Sequence, residues 1–242
     1  MNLGVTVIMR SKQIADLFHK IQKWLNSPIQ LQVQSFARRY YEFTNAYFCK
    51  KYSLDFNGFI PCGELAVDSY SSQANATAYQ AYGSYYFKTL IGFAISMVEK
   101  PAYFVDIGCG KGKQCIYAEK YFGFDRIIGI DFSNELIDIA NKNLFNLKYS
   151  NIEFQLADAA DYKLPDKQCM VFLYNPFNEI ILNKFVTNNI DNFTKLTSLI
   201  IYANDIHRKI LTDFGFETIY RDHQNNSVFK VKDVLIRTSP RK

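Results

Sequence analysis

Several chemistries are excluded by what the chain lacks. It has 242 residues but only three histidines, His19, His207 and His223, scattered along its length. They form no HExxH helix and no Cys/His cluster, so no zinc-type site is expected and no metal is assigned. The five cysteines, Cys49, Cys62, Cys109, Cys115 and Cys169, are odd in number and contain no CxxC pair. A disulfide framework is therefore not expected, and reduced thiols in a reducing compartment are. There is no G-x-S-x-G nucleophile turn and no phosphate loop ending in GK[ST]. No signal peptide is apparent, and the longest apolar run, residues 90–98, is too short to span a bilayer. These features lead us to expect a cytoplasmic protein with no membrane partner. Internal repeats and low-complexity tracts are also lacking.

Charge is nearly balanced: 28 basic against 23 acidic residues give a net charge of +5. Part of the excess lies near the N-terminus (Arg10, Lys12, Lys20, Lys23, Arg38, Arg39, Lys50, Lys51), where the spacing predicts helices. A solvated helix face is the default explanation, and a surface for RNA or an acidic protein is the alternative. The plentiful residues are aromatic, with Tyr 17 and Phe 21. A filled core accounts for most of them, and a stacking site for at most a few.

Apolar positions Ile14, Leu17, Phe18, Ile21 and Leu25 predict a helix over 11–24. Ser27-Pro28 interrupts it, and a second helix is expected over 30–51. Residues 55–63 and 71–84 read as loops, and 85–97 as a helix directly after the second loop. From Tyr103 onward, β-rich runs (YFVDIG, DRIIGID, NIEFQLAD, CMVFLYN, TSLIIYAN) alternate with helical stretches over 113–121, 134–144, 178–189 and 205–214. This alternation predicts a parallel sheet covered on both faces. FETIYRDH and SVFKVKDVLIRT, separated only by turn residues, predict a closing antiparallel hairpin. The expected fold is α/β: a doubly wound, seven-stranded, mostly parallel sheet with a C-terminal antiparallel hairpin. Expected domains are an N-terminal helical extension or lid over 1–70 and a ligand-binding domain over 71–242.

The central motif is FVDIGCGKGK, beginning at Phe104. Gly108, Gly110 and Gly112 directly follow an apolar strand. Alternating glycines let the backbone turn tightly and approach a ligand, here around Cys109. The next helix aims its N-terminus at the same crevice, where it favours an anionic group such as a carboxylate. Three acids mark three successive strand ends. Asp106 lies two residues before the first glycine, Asp131 about a strand later with Phe132 beside it, and Asp158 beside Ala159. Asp131 can accept two ribose hydroxyls, Phe132 can face an adenine, Asp158 can take an exocyclic amine, and a backbone N–H near Ala159 can reach a ring nitrogen. The spacing G-x-G-x-G departs from the dinucleotide fingerprint G-x-G-x-x-G. Asp106 would repel a pyrophosphate but suits a cationic sulfonium. The alternative is that the glycines only pack helix on strand and the acids cap helices.

These motifs resemble those of the class I S-adenosylmethionine-dependent methyltransferases. FVDIGCGKGK is similar to the first motif of that superfamily, IIGIDFS to its ribose motif, LADAADY to its adenine motif and CMVFLYNPF to its fourth. The resemblance covers residues 71–237 and implies S-adenosyl-L-methionine as cofactor. The LYNPF segment and the loop YSLDFNGF are similar to those of poorly characterised bacterial members. YQAYGSYYF is similar to the loop of non-SET-domain histone lysine methyltransferases, except that Ser84 stands where an acid is expected. In amino-methyltransferases with N-P-P-Y or D-P-P-F, the Asn side chain and a following carbonyl accept bonds from the target amine. By that resemblance Asn175, Pro176 and Phe177 are the candidate catalytic turn, although the second proline is missing. Tyr82 is a further catalytic candidate, and Tyr79 and Tyr174 join the cofactor-lining set. The implied function is in-line N-methylation of a protein side chain or small amine. A nucleic-acid methyltransferase and a catalytically silent cofactor-binding scaffold are the alternatives.

Overall fold

The structure is a computed structural model that describes residues 28–64, 75–97 and 101–232. The expected helix over 11–24 lies outside them. The chain divides into two compact units, Met1–Tyr47 and Phe48–Lys242. Helix α1 (Pro28–Lys51) begins in the first and ends in the second. It starts at a proline, whose fixed φ suits the first helical turn. Val33, Phe36, Tyr40, Phe43 and Tyr47 are exposed along it, at a 3–4 spacing that puts them on one face.

Beyond Phe48 the elements are β1 (Phe59–Ile60), β2 (Tyr79–Gln80), α2 (Ser84–Met97), β3 (Tyr103–Ile107), α3 (Lys113–Phe122), β4 (Arg126–Asp131), α4 (Asn134–Leu147), β5 (Ile152–Leu156), β6 (Cys169–Tyr174), α5 (Glu179–Lys195), β7 (Leu199–Ala203), α6 (Arg208–Asp213), β8 (Phe216–Arg221) and β9 (Ser227–Val231). Seven strands form one sheet in the order β5-β4-β3-β6-β7-β9-β8. Neighbours from β5 to β7 run parallel; β9 pairs antiparallel with both β7 and β8. The expected doubly wound sheet with a terminal hairpin is therefore present.

Strand residues alternate between two apolar layers, as the period-2 pleat requires. Phe104, Ile127, Met170, Phe172 and Ile201 face α2, α3 and α4. Val105, Ile107, Ile128, Ile130, Val171 and Leu173 face α5 and α6. With both faces covered, β3 and β6 are buried almost throughout, which explains their unbroken apolar runs. The chain leaves β3 toward β4 on one side and returns to β6 on the other. This reversal opens a crevice at the carboxyl ends of β3 and β6.

Two expectations need correction. The loops over 55–63 and 71–84 contain the two-residue antiparallel pair β1–β2, in which Phe59 meets Gln80 and Ile60 meets Tyr79. A ladder this short leaves no periodicity to detect. The helix expected over 205–214 begins only at Arg208, because the Asp205 carboxylate is committed elsewhere. It accepts from Arg221 Nε at 2.9 Å and from Ser227 Oγ at 2.5 Å, tying the end of β7 to the hairpin.

Candidate functional site

A cavity of about 280 Å³ sits at the sheet reversal. It gathers Asp106, Gly108, Cys109 and Gly110 from the glycine turn, Asp131 and Phe132 after β4, and Asp158 and Ala159 after β5. Tyr174, Asn175, Pro176 and Phe177 after β6, with Tyr79 and Tyr82, complete the set expected from the sequence. Of those candidates only Gly112 is not in the lining. A Cβ there would lie 2.4 Å from Phe154 Cζ and 3.1 Å from Ala140 Cβ, so this glycine seats α3 against β5 and α4.

The other two glycines make room for protein side chains as well as for a ligand. Gly108 has φ +77°, and a Cβ on it would meet Pro176 Cβ at 2.4 Å. Gly110 has φ +54°, and its Cβ would meet the Tyr79 ring at 2.4 Å. The turn is thus wedged between the NPF turn and a tyrosine. Its N–H groups are largely spent internally: Gly108 and Cys109 both donate to Ile130 O, and Gly110 donates to Asp131 Oδ2 at 2.9 Å. The N-terminus of α3 behaves differently. Gly112 caps it with no side-chain bond, and Lys113 and Gln114 of its first turn line the cavity. That end can receive an anion.

The acids are held distinctly. Asp131 is buried and accepts from Gly110 N–H through Oδ2 and from Ser133 N–H through Oδ1. Burial nevertheless pushes its carboxyl up to about 6. Asp106 is buried near Asp131, with the Cys115 thiol 3.7 Å away. Burial first, and then the neighbouring Asp131 charge, push it up to about 8. Neither makes a salt bridge among the described residues. Asp158 is half-buried and accepts from Ala160 N–H at 2.8 Å.

At the other end of the cavity the NPF turn departs from the expected pattern. Asn175 has φ +42°, a left-handed conformation that asparagine tolerates. Its own carbonyl accepts from Thr77 Oγ1 at 2.6 Å, and the Pro176 carbonyl accepts from Thr77 N–H at 3.0 Å. Ala76 bridges to Phe177, and Asn178 N–H donates to Asn75 O. Residues 75–77 therefore run alongside the turn and occupy the carbonyls that an N-P-P-Y turn offers an amine. Among the described residues the Asn175 carboxamide faces only a long contact, 3.5 Å, from Tyr202 OH. Tyr82 packs its ring 4.7 Å from that of Tyr174 and 5.8 Å from that of Phe172. Its hydroxyl is buried without a hydrogen-bond partner among the described residues, and burial pushes its pKa upward.

Sequence reasoning missed Lys113 and Gln114. Both donate to the Tyr82 carbonyl, at 2.8 and 3.1 Å. Gln114 is thereby turned so that its Oε1 is buried and has no partner among the described residues. The GKGKQ string held the signal, since residues opening a helix after such a turn face the crevice. Lys111 was missed too. It points away from the cavity, into an ion pair with Asp55. No cluster of His, Cys, Asp or Glu able to hold a metal occurs among the described residues, and none of their helices is long and apolar enough to cross a membrane.

Similar folds are found in solved structures. A Methanococcus maripaludis protein assigned to the S-adenosylmethionine-dependent methyltransferases superposes with a TM-score of 0.50 at 15% identity, covering 60% of this chain and 85% of that one. A Podospora anserina methyltransferase bound to S-adenosylhomocysteine gives 0.50 at 12% identity, with 64% and 80% covered. A ribosomal protein L11 methylase from Lactobacillus delbrueckii subsp. bulgaricus gives 0.48 at 19% identity, with 66% and 82% covered. No curated protein sequence matches the chain. The methyltransferase domain family matches residues 99–233, more than half of the chain and all of the glycine turn, acidic strand ends and NPF turn. The chain belongs to that family, within the class I methyltransferase superfamily.

Proposed function

We propose that the protein transfers a methyl group from S-adenosylmethionine to an amine nitrogen on a protein side chain or a small molecule. The observation that carries the donor half is the pair of buried carboxyls, Asp106 and Asp131, which share one cavity without a salt bridge among the described residues. Buried carboxyls without a cation are costly unless a ligand supplies positive charge or hydrogen-bond donors. The Gln114 Oε1, buried and without a partner among the described residues, likewise calls for a donor. The residues present thus fit a ligand with an ammonium, a sulfonium and ribose hydroxyls. Asp131 and Phe132 would hold ribose and adenine, Asp158 and Ala159 the adenine edge, and the open N-terminus of α3 the carboxylate. Asp106 and Gln114 would face the cationic end. When bound, S-adenosylmethionine supplies an activated methyl group on a positively charged sulfur.

The acceptor half rests on aromatic lining and on charge. With Asp106 protonated up to about pH 8, the wall sets two further carboxyls, Asp131 and Asp158, against one lysine, Lys113, which is already bonded to Tyr82 O. Such a wall favours a basic or neutral acceptor over an anionic one. Tyr82, Tyr174 and Phe177 exclude water from the approach, and desolvation favours the neutral, nucleophilic form of an amine. With the turn carbonyls bonded to Thr77, the Asn175 carboxamide is the group of the NPF turn placed to accept an amine N–H and fix its lone pair. Positioning of this kind, rather than proton transfer, is what an already activated leaving group requires.

Melting of the full chain should rise with S-adenosylhomocysteine and stay unchanged with NAD; stabilisation by NAD alone would overturn the donor assignment. Labelled methyl groups should enter the protein or small-molecule fraction of a cell lysate, and label confined to RNA would overturn the acceptor assignment. Asn175→Gly keeps the left-handed turn while deleting the carboxamide. It should cut turnover by about a hundredfold, on the scale of one lost positioning contact, with S-adenosylhomocysteine affinity within a few-fold of the parent. Parallel losses in both would place Asn175 in the fold and not in catalysis.

A further inference from the structure

The lysine of the glycine turn does not face the cavity. Lys111 has only 8% of its side chain exposed, and its ammonium reaches Asp55 Oδ1 at 3.0 Å, Asp55 Oδ2 at 2.9 Å and Asn57 O at 2.6 Å. Among the described residues, these three hydrogen bonds of the ammonium all end on the segment 52–58. Asn143 of α4 braces the same junction. Its Nδ2 donates to Asp55 O at 2.9 Å and to Lys111 O at 3.0 Å, and its Oδ1 accepts from Asp55 N–H at 2.8 Å. The segment in turn holds a wall of the cavity, because Tyr79 OH donates to Phe56 O at 2.9 Å. The Tyr79 ring fills the space above Gly110, and the Lys111 ammonium lies 5.5 Å from its centroid. Segment 52–58, here termed the strap, forms with the glycine turn and Tyr79 a closed circuit of contacts.

We infer that Lys111 is a positioning residue for the donor half of the cavity: through Asp55 it fastens the strap 52–58 to the glycine turn and so fixes Tyr79 against Gly110. This rests on the methyl-donor reading above. A buried ammonium is stable only while its partners stay in place. Opening the strap would strand Lys111 without a counter-charge, so the pair biases the strap toward the closed position. Tyr79 depends on that position for its hydroxyl partner. The pair thus controls how firmly a ligand is walled in, without either side chain lining the cavity.

The test is titration calorimetry of S-adenosylhomocysteine onto the full chain, alongside melting of the ligand-free protein. Lys111→Met preserves volume, and Asp55→Asn removes the counter-charge at the half-exposed partner, 55% exposed, while keeping an oxygen that can accept from the ammonium. Each should weaken binding about tenfold, and the double variant should be no weaker than the worse single, as expected for two ends of one contact. A purely structural pair would lower the melting temperature and leave the dissociation constant unchanged; that result, or additive losses, would overturn the inference. Should Lys111→Met fail to fold, Asp55→Asn carries the test alone. If the parent protein bound S-adenosylhomocysteine no better than NAD, the donor reading would fall and take this inference with it.

Discussion

Asp131→Ala is expected to reduce S-adenosylhomocysteine affinity by more than about a hundredfold, the largest loss of any single change in the cavity. Two losses coincide at this residue. The carboxylate at the end of β4 is the group placed to accept ribose hydroxyls, and it also organises the turn that faces it. With the carboxylate gone, the N–H groups of Gly110 and Ser133 lose the acceptors they hold at 2.9 and 3.0 Å. Each buried orphan costs about 1–3 kcal/mol, so the melting temperature of the free protein should fall as well. Asp158→Ala is the internal comparison. Asp158 is half-buried, and its carboxylate caps the nearby Ala160 N–H within its own loop, so its loss should weaken binding about tenfold with little change in melting. Calorimetry on the two variants separates the cases; a loss at Asp131 no larger than that at Asp158 would remove the ribose from this position. Acid should mimic the deletion. The Asp131 carboxyl sits near 6 in the free protein, and its ionised form is the better acceptor of hydroxyls. Binding should therefore weaken as pH falls through about 6.

Asp106, Asp131 and Asp158 were legible in the sequence because their placement follows from local rules. Asp131 closes β4 and Asp158 follows β5, while Asp106 breaks the apolar run inside β3 one residue before its end, and in a parallel sheet all three ends open on the same edge. The closing hairpin was legible from its turn residues. What the sequence hid are contacts between residues far apart in the chain. Thr77 caps the Asn175 and Pro176 carbonyls across nearly a hundred residues, and no pattern near NPF announces it. The glycines show the same limit. A tight turn was expected at Gly108 and Gly110 from their spacing, but the close neighbours there are Pro176 and Tyr79. Gly112 has φ +78°, caps α3 and leaves room for Phe154 and Ala140. A glycine motif encodes a backbone shape; which group fills the space it leaves is decided by the tertiary fold.

Asp106→Asn separates what the fold needs from what the ligand needs. Asp106 is buried on β3 with no salt bridge among the described residues, and its carboxyl is pushed up to about 8 from an ordinary value of 3.8. Between those values the folded protein holds a proton that the unfolded chain has released. The contribution of this group to stability is therefore full below about 4 and declines as pH rises toward 8. Asparagine carries no such penalty, so Asp106→Asn should melt higher than the parent at about pH 8.5, by about 1–2 kcal/mol of stability, and gain little at about pH 5. Ligand binding should move the opposite way. A sulfonium and an ammonium favour the ionised carboxylate, so S-adenosylmethionine affinity in the parent should climb from about pH 6 to about 8 as Asp106 gives up its proton. The variant should lose that climb, and should lose more affinity for S-adenosylmethionine than for S-adenosylhomocysteine, whose sulfur is neutral. A variant that melts lower at about pH 8.5 and keeps the parent pH profile would make Asp106 a structural strut. A variant that is more stable yet binds the cationic donor worse would mean that the buried charge is kept for the ligand at the expense of the fold, a trade expected where a site holds strain for function.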